Sequence, residues 1–598
     1  MEWNKEQERA IRHKEGPALV LAGPGSGKTA VITAHVKALE ESGIKGNQIL
    51  VLTFTRAAAR EMEERFRSLT GDRETGVTFG TFHSLCFHIL KEQCGYTGQD
   101  LMTEREKRRR MKETLFRTGL LKTDAERQID RLLAALEKRK AGVLKERGEE
   151  GNAHWEEERE EETERILFFY QEAQKRERRL DFEDILLECR RVLGEEPVRR
   201  YWQKKWRYLL IDEYQDLNRV QAEIARLLAG DAANLFVVGD EDQAIYGFRG
   251  AEANGMRLFS ENYPSAKLYR LTVNYRSVPE VTEAAARLIR QNKNRFPKKI
   301  QAFRFSGGSK AVKVSCFEDE KQEVEAILNE IRAWRKEGIA WEDMAVLYRS
   351  GFSAGNLAEC LTDCGIPFHC QEPAEEKRED WVRKDMQAYW NLAETFAAGK
   401  RWRRRDLLRV LNRPERELPR AGLETEWVDP EAWIACFVGV EEYERAAREL
   451  AGLIRRISRM DFYGAVSYVW KGAGYRDYAR ETAGKQGISW HTVLDRWEAL
   501  RTGKERKTEV SGVRLMTMHA AKGLEFSAVF LPGLNEGEIP HGKPTEEEVV
   551  EEERRLMYVA VTRAKDRLCL SWTRKRYGHR PPPSRFLLEM QKNNRTAV

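Results

Sequence analysis

The stretch Ala22-Gly23-Pro24-Gly25-Ser26-Gly27-Lys28-Thr29 constrains this chain more than any other. An apolar run, Ala18 to Leu21, precedes it, and Ala30 to Leu39 follows it with a helical pattern. Strand, glycine-rich turn and helix N-terminus together make a P-loop, whose backbone N–H groups and helix dipole face a phosphate. Gly23, Gly25 and Gly27 let the backbone wrap the phosphates where a Cβ would clash. Lys28 is placed to reach the β/γ-phosphates, and the Thr29 hydroxyl to ligate Mg²⁺. The pattern arises by chance in roughly one chain of this length in fifty, so a plain surface turn is the weaker reading.

At 598 residues the chain has room for about four domains by the usual length prior. Its net charge of +7 is a small bias among 104 basic and 97 acidic side chains; it permits nucleic-acid binding without arguing for it. Nine cysteines, an odd and scattered number, suit a reducing compartment better than a disulfide framework. Cys360, Cys364 and Cys370 lie close together with no fourth ligand nearby, and read as packing residues rather than a metal site. No stretch approaches ~18 apolar residues and the N-terminus lacks a signal core, so the expectation is a soluble, cytoplasmic protein.

Strands and helices then alternate. Gln48–Phe54 reads as a second buried strand and Gly76–Phe79 as a third, each followed by a helix. From about 100 to 179 the chain turns Glu/Lys/Arg-rich with apolar residues at helical spacing, an inserted helical region. Strands resume at Tyr208–Ile211, Asn234–Val238 and Lys267–Leu271. A second α/β region follows: Val312–Phe317, Met344–Tyr348, Val513–Thr517, Ala528–Leu531 and Arg567–Ser571. It is interrupted by a Trp- and Arg-rich helical stretch from about 371 to 507. This order implies doubly wound parallel sheets with ligands at the strand C-terminal ends.

Tyr208–Ile211 ends in Asp212-Glu213. A carboxylate pair there, on the same sheet as a P-loop, completes an ATPase site: Asp212 holds Mg²⁺ through water and Glu213 polarises the attacking water. Further motifs run in order along the chain: Trp3–Gln7, Thr53–Thr55, Thr81–His83, Asp212–Asp216, Gly239–Gly250, Asn274–Ser277, Met518–Phe526, and Glu551–Leu556 with Val561–Ala564. Together they resemble the UvrD/Rep/PcrA-type superfamily 1A DNA helicases over nearly the whole chain, most weakly in the two insertions.

That resemblance implies two RecA-like parallel-sheet P-loop domains, each with a mainly helical insertion. The implied boundaries are 1–95 and 185–275 for the first domain around an insertion at 96–184, and 276–372 and 510–598 for the second around 373–509. It implies that Tyr275 stacks on the adenine of ATP while Gln7 reads the base edge, that Glu525 accepts from the ribose, and that Gln243 senses the γ-phosphate. Arg276 and Arg563 become arginine fingers supplied from the second domain; such groups raise turnover about 10³–10⁵-fold in other NTPases. Phe54, Thr81, Phe82, His83, Tyr246, Phe248 and His519 fall where the family contacts single-stranded DNA. Stacking of ~1–3 kcal/mol per base is sequence-tolerant and comparable to separating a base pair, about 1.4 kcal/mol per step. Phe54 and Phe82 are also the two aromatics best suited to a core.

Departures from the family temper the expected activity. Leu411–Leu423 lacks the Gly-Ile-Gly-type loop that grips duplex DNA in relatives, the second insertion looks short, and the chain stops soon after Phe586 without a partner-binding extension. The leading expectation is an ATP-dependent 3′→5′ helicase or translocase acting on single strands and single/double-strand junctions in repair, replication or recombination, beside repair or nuclease partner proteins. Two alternatives stand with it: a translocase that strips bound proteins with little unwinding, and a DNA-binding regulator switched by ATP. The intact Lys28, Glu213, Arg276 and Arg563 speak against the last.

Overall fold

The structure is a computed structural model describing residues 3–71, 75–120, 125–140, 154–230, 233–247, 250–252, 254–305, 311–349, 357–358, 360–361, 364–371, 381–485, 490, 493–494, 497–498, 501, 512–542, 544–576 and 578–591. They fall into two compact units. The first comprises Met1–Ser309, Pro544–Tyr558 and Glu589–Val598; the second comprises Lys310–Lys543 and Val559–Leu588.

The first unit is built on six strands: β1 (Ala18–Ala22), β2 (Ile49–Thr53), β3 (Thr78–Thr81), β4 (Tyr208–Ile211), β5 (Leu235–Gly239) and β6 (Lys267–Leu271). They pair in parallel in the order β3-β2-β4-β5-β1-β6. β1, β2, β4 and β5 are buried at every residue, which is why their sequences are unbroken apolar runs instead of alternating ones. One face carries the core around Leu19, Leu50, Leu209 and Val237; the other carries Val20, Val51, Leu210 and Val238. Leu21 pairs with Gly239 and Ile211 with Val237, so β1, β4 and β5 end side by side at one edge.

Helices begin at that edge because their first turns are capped. Asn4 and Gln7 form a reciprocal capping box on α1 (Lys5–Ile11), Gly27 opens α2 (Lys28–Glu41), Thr55 caps α3 (Arg56–Thr70), and Thr81 caps α4 (Phe82–Cys94). The first helical insertion contains helices at Glu104–Arg117, Ala125–Lys140 and His154–Arg176, packed around Met111, Leu133, Ile166 and Tyr170.

In the second unit, Val312–Phe317, Met344–Tyr348, Phe368–Gln371, Val513–Thr517, Phe526–Leu531 and Ala564–Thr573 form another six-stranded parallel sheet. The third, fourth, second, fifth, sixth and first of these lie in that order across it. A separate helical core, with Trp402, Trp433, Leu450 and Tyr475 at its centre, is the second insertion. Two parallel-sheet domains with helical insertions are the architecture expected of a RecA-like pair.

The units divide after 309, not after 275. Residues 276–305 pack with the first unit: β7 (Val273–Asn274) pairs with β8 (Gln301–Ala302), and Arg295 and Lys298 form ion pairs with Asp242 and Asp240. The start of the helix Glu547–Val561 belongs there too: Arg555 donates to Ala244 O, Glu552 accepts from Gly247 N, and Arg554 pairs with Glu589. Arg276 therefore belongs to the P-loop unit. Among the described residues no helix is long and apolar enough to cross a membrane.

Candidate active site

Three adjacent strand ends deliver the P-loop, Asp212-Glu213 and the 240–243 turn to one place. Gly23 N donates to Leu271 O and Ser26 Oγ to Gly23 O, folding the loop back over β1. Gly25 and Gly27 take the left-handed φ of +66° and +81°. At Gly25 a Cβ would also lie 2.5 Å from Asn274 Oδ1 and 2.6 Å from Arg276 Cβ, so glycine is required twice over.

Lys28 Nζ lies 3.2 Å from Glu213 Oε2. Burial works to lower the Lys28 pKa, but Glu213, Asp240 and Asp212 outweigh it and hold it above the ordinary lysine value. Asp212, 5% exposed, is pushed up to about 7, by burial first and then by the charge of Glu213, with Lys28 opposing. Glu213 sits at φ 50°, ψ 44°, an uncommon conformation for a side-chain-bearing residue and one that turns its carboxylate toward Lys28.

Gln215 links the next two strand ends. Its amide nitrogen donates to Glu213 Oε2, and its oxygen accepts from Asp240 N at 2.9 Å. Gly239 leaves the space for this: a Cβ there would sit 2.5 Å from Gln215 Oε1. Gln243 Nε2 donates to Asp240 Oδ2 at 2.6 Å.

At the loop's other end, Gln7 Nε2 donates to Ser26 O at 3.1 Å, Asn4 Nδ2 donates to the Tyr275 hydroxyl at 2.8 Å, and Tyr275 N donates to Gly25 O at 2.9 Å. Gln7 and Tyr275 thus both lie against the loop. Arg276 is partly buried, its N–H accepted by Asn274 Oδ1.

The donor set fits a hard divalent cation. Asp212 is a buried carboxylate, and Thr29 supplies a hydroxyl in the first turn of α2. Among the described residues no three His, Cys, Asp or Glu side chains converge to hold a metal, so such an ion would share its coordination with phosphate oxygens and water.

The second unit carries the remaining expected groups. Arg563 is 2% exposed and donates to Val559 O, Leu524 O and Thr562 Oγ1. Glu525 is exposed and forms an ion pair with Lys565 at 2.9 Å. His519 is partly buried in the turn after Val513–Thr517.

On the first unit, Phe54 and Tyr246 stack, with centroids 5.3 Å apart and planes at 10°, and both rings are partly exposed. His83 stacks on Phe182 at 3.6 Å and 17°. Phe82 does not join them: at 2% exposure it packs with Leu85, Cys86 and Ile89, and a ring sealed in the core offers no face to a base. The Thr81 hydroxyl is engaged in capping α4. Phe248 lies outside the described residues.

Sequence reasoning missed Phe182, which is 54% exposed at the first position of a helix capped by Asp181. A large aromatic at an exposed helix start is the signal that marks it. It also missed Gln215, which reaches Asp240 as well as its neighbour Glu213, and Arg295 and Lys298, whose partners are distant in sequence.

Residues 3–264 match the UvrD/REP helicase N-terminal domain, and residues 269–425 and 482–575 match the UvrD-like helicase C-terminal domain. The chain is 32% identical to the ATP-dependent DNA helicase Rep of Escherichia coli K12, covering 99% of this chain and 95% of that protein. It is 30% identical to the ATP-dependent DNA helicase PcrA of Staphylococcus epidermidis RP62A, covering 98% and 86%.

Proposed function

Because the chain belongs to the UvrD/Rep family of ATP-dependent DNA helicases, we propose that it hydrolyses ATP to move 3′→5′ along single-stranded DNA and to separate strands at junctions. The observation that carries this reading is the crescent of Lys28, Glu213, Gln215, Asp240 and Gln243 on three neighbouring strand ends, with Gln7 and Tyr275 beside the same loop.

Each residue has a step to perform. The P-loop amides and Lys28 bind the phosphates; taking Lys28 from Glu213 leaves that carboxylate to orient and deprotonate a water. Thr29 and Asp212 would hold Mg²⁺, which would supply charge neutralisation at the phosphates. Gln243 reports the γ-phosphate. Gln7 turns from Ser26 O to the adenine edge, and Tyr275 offers its ring. Arg276 and Arg563 stabilise the charge developing on the transferred phosphoryl group, with Arg563 first leaving its backbone acceptors. Hydrolysis is thereby tied to closure of the second RecA-like domain on the first, and Glu525 meets the ribose.

The Phe54–Tyr246 and His83–Phe182 pairs serve as stacking platforms for successive bases, with Phe248 and His519 extending the track. ATPase activity measured with and without single strands, beside displacement on 3′- and 5′-tailed duplexes, tests the reading. Strand-stimulated hydrolysis with displacement only from the 3′ tail is expected. Hydrolysis indifferent to DNA removes the motor, and displacement from the 5′ tail reverses the polarity.

A further inference from the structure

One segment outside every motif read from the sequence touches the P-loop, the 240–242 turn and the arm that carries Tyr275. Running from Arg295 to Arg304, it begins with Arg295 bidentate on Asp242 and Phe296 N donating to Glu241 Oε1. Lys298 follows, its side chain 1% exposed, with Nζ 2.6 Å from Asp240 Oδ1 and 2.9 Å from Glu241 Oε2. Ile300 crosses the P-loop so closely that a Cβ on Gly23 would lie 2.4 Å from its Cδ1. Gln301 N donates to Thr272 O and Phe303 N to Asn274 O, stitching the strap to the arm that carries Tyr275. The Phe303 ring, 64% exposed, lies 5.0 Å from that of Tyr275 at 45°, and Arg304 donates to Arg276 O.

We propose that this strap is the positioning element of the ATP site: Lys298 sets Gln243 for hydrolysis through Asp240, and Phe303 sets Tyr275 for the base. The proposal rests on the ATPase reading above. Asp240 has two oxygens with separate duties. Oδ1 takes the short 2.6 Å contact from Lys298 and a longer 3.3 Å bond from Asp242 N, which together fix the carboxylate's rotation; Oδ2 is left in the orientation that accepts the Gln243 amide. A buried carboxylate without its lysine would turn or take up a proton, and the glutamine amide would lose its bearing. Phe303 limits the tilt of Tyr275, whose hydroxyl is already held by Asn4. The two ends of one strap therefore govern different kinetic constants. Arg295 anchors the strap to Asp242, donating to both of its carboxylate oxygens.

The test is a double-mutant cycle on the full-length chain with saturating single-stranded DNA. Lys298→Met should lower kcat 10- to 100-fold with KM for ATP within threefold, and should lower it less than threefold further in a Gln243→Ala background. Full additivity of the two changes overturns the proposal. So does Arg295→Gln if it lowers kcat as much as Lys298→Met at equal loss of Tm, since the cluster would then be packing alone. Should Lys298→Met fail to fold, Lys298→Arg enters the same cycle under the same criterion. At the other end, Phe303→Ala should raise KM for ATP three- to tenfold, more than it lowers kcat; the reverse order overturns the assignment of the two ends. Lys28→Ala is run alongside. Hydrolysis surviving that change would sink the ATPase reading itself, independently of the cycle.

Discussion

Replacing Glu213 by Gln separates two things that the carboxylate does. In this structure it is the ion-pair partner of Lys28, with side chains 13% and 26% exposed at 3.2 Å. At an effective dielectric near 20 the gross attraction at that distance is about 5 kcal/mol. Desolvation and residual solvent screening reduce the net worth of such a pair to about 1–2 kcal/mol. Phosphate oxygens must compete for the same ammonium, so part of the binding energy of the nucleotide is spent displacing Glu213. Glu213→Gln, which keeps shape and the hydrogen bond but loses the charge, should tighten ATP binding by about 1–2 kcal/mol, roughly 5- to 30-fold. Turnover should meanwhile fall by about 10²–10⁴, because an amide cannot take the proton of the attacking water. Fluorescent-nucleotide titration gives the first quantity and phosphate release the second. ATP binding no tighter than in the unaltered protein would refute the competition between phosphate and Glu213, whatever happened to turnover.

Arg563→Ala removes a buried guanidinium that donates to three acceptors, so it should cost about 2–4 kcal/mol of stability as well as turnover; thermal melting must accompany the kinetics, and an unchanged Tm would contradict the bonding seen. His83 is lowered to about 4, by burial first and by Arg56 second. Its unfolded value near 6.5 lies above this, so stability is whole above pH 6.5 and declines by up to about 3 kcal/mol as pH falls to 4. Imidazole NMR should show a neutral ring at pH 5.5, and a protonated one there would undo the argument. Tyr246→Ala should weaken single-strand binding by about 1–3 kcal/mol, read by fluorescence anisotropy at fixed salt; an unchanged affinity would confine the Phe54–Tyr246 pair to a structural role.

What the sequence made legible depended on how locally each feature is encoded. The P-loop is eight consecutive residues, and the strands are short runs rich in apolar and β-branched residues, so Val312–Phe317, Met344–Tyr348 and Val513–Thr517 coincide with the expectation. The division between units did not follow from pattern. Asn274–Ser277 opens a stretch whose ties to the first sheet come from ion pairs 53 to 58 residues away in sequence, Arg295 to Asp242 and Lys298 to Asp240. Phe82 illustrates a second limit. Adjacent residues at a helix start point in different directions, and only packing decides that His83 meets Phe182 while Phe82 turns into the core. Gln215 reads as one more polar residue in Asp212–Asp216, yet its amide spans two strand ends.

Carboxylates outnumber their cations along that crescent, and the excess predicts how metal removal acts. Lys298 and Arg295 face Asp240, Glu241 and Asp242 at one end, and Lys28 faces Asp212 and Glu213 at the other, so each end has one more carboxylate than these cations match. At Asp212 the excess is compounded by desolvation: burial first, and the charge of Glu213 second, push its carboxyl up to about 7. A triphosphate adds about four more negative charges to the same place, so ATP stripped of divalent cation should bind at least tenfold more weakly than with Mg²⁺. The proton on Asp212 competes with the cation. Above pH 7 the carboxylate is ionised and Mg²⁺-dependent binding is at full strength; below it, apparent Mg²⁺ affinity should fall toward tenfold per pH unit. Asp212→Asn removes the competing proton and should flatten that slope while weakening the metal dependence. Nucleotide titrations in EDTA and in Mg²⁺ between pH 6 and 8 decide the matter: equal affinities with and without metal, or a slope that survives Asp212→Asn, would show that the surplus charge lies elsewhere.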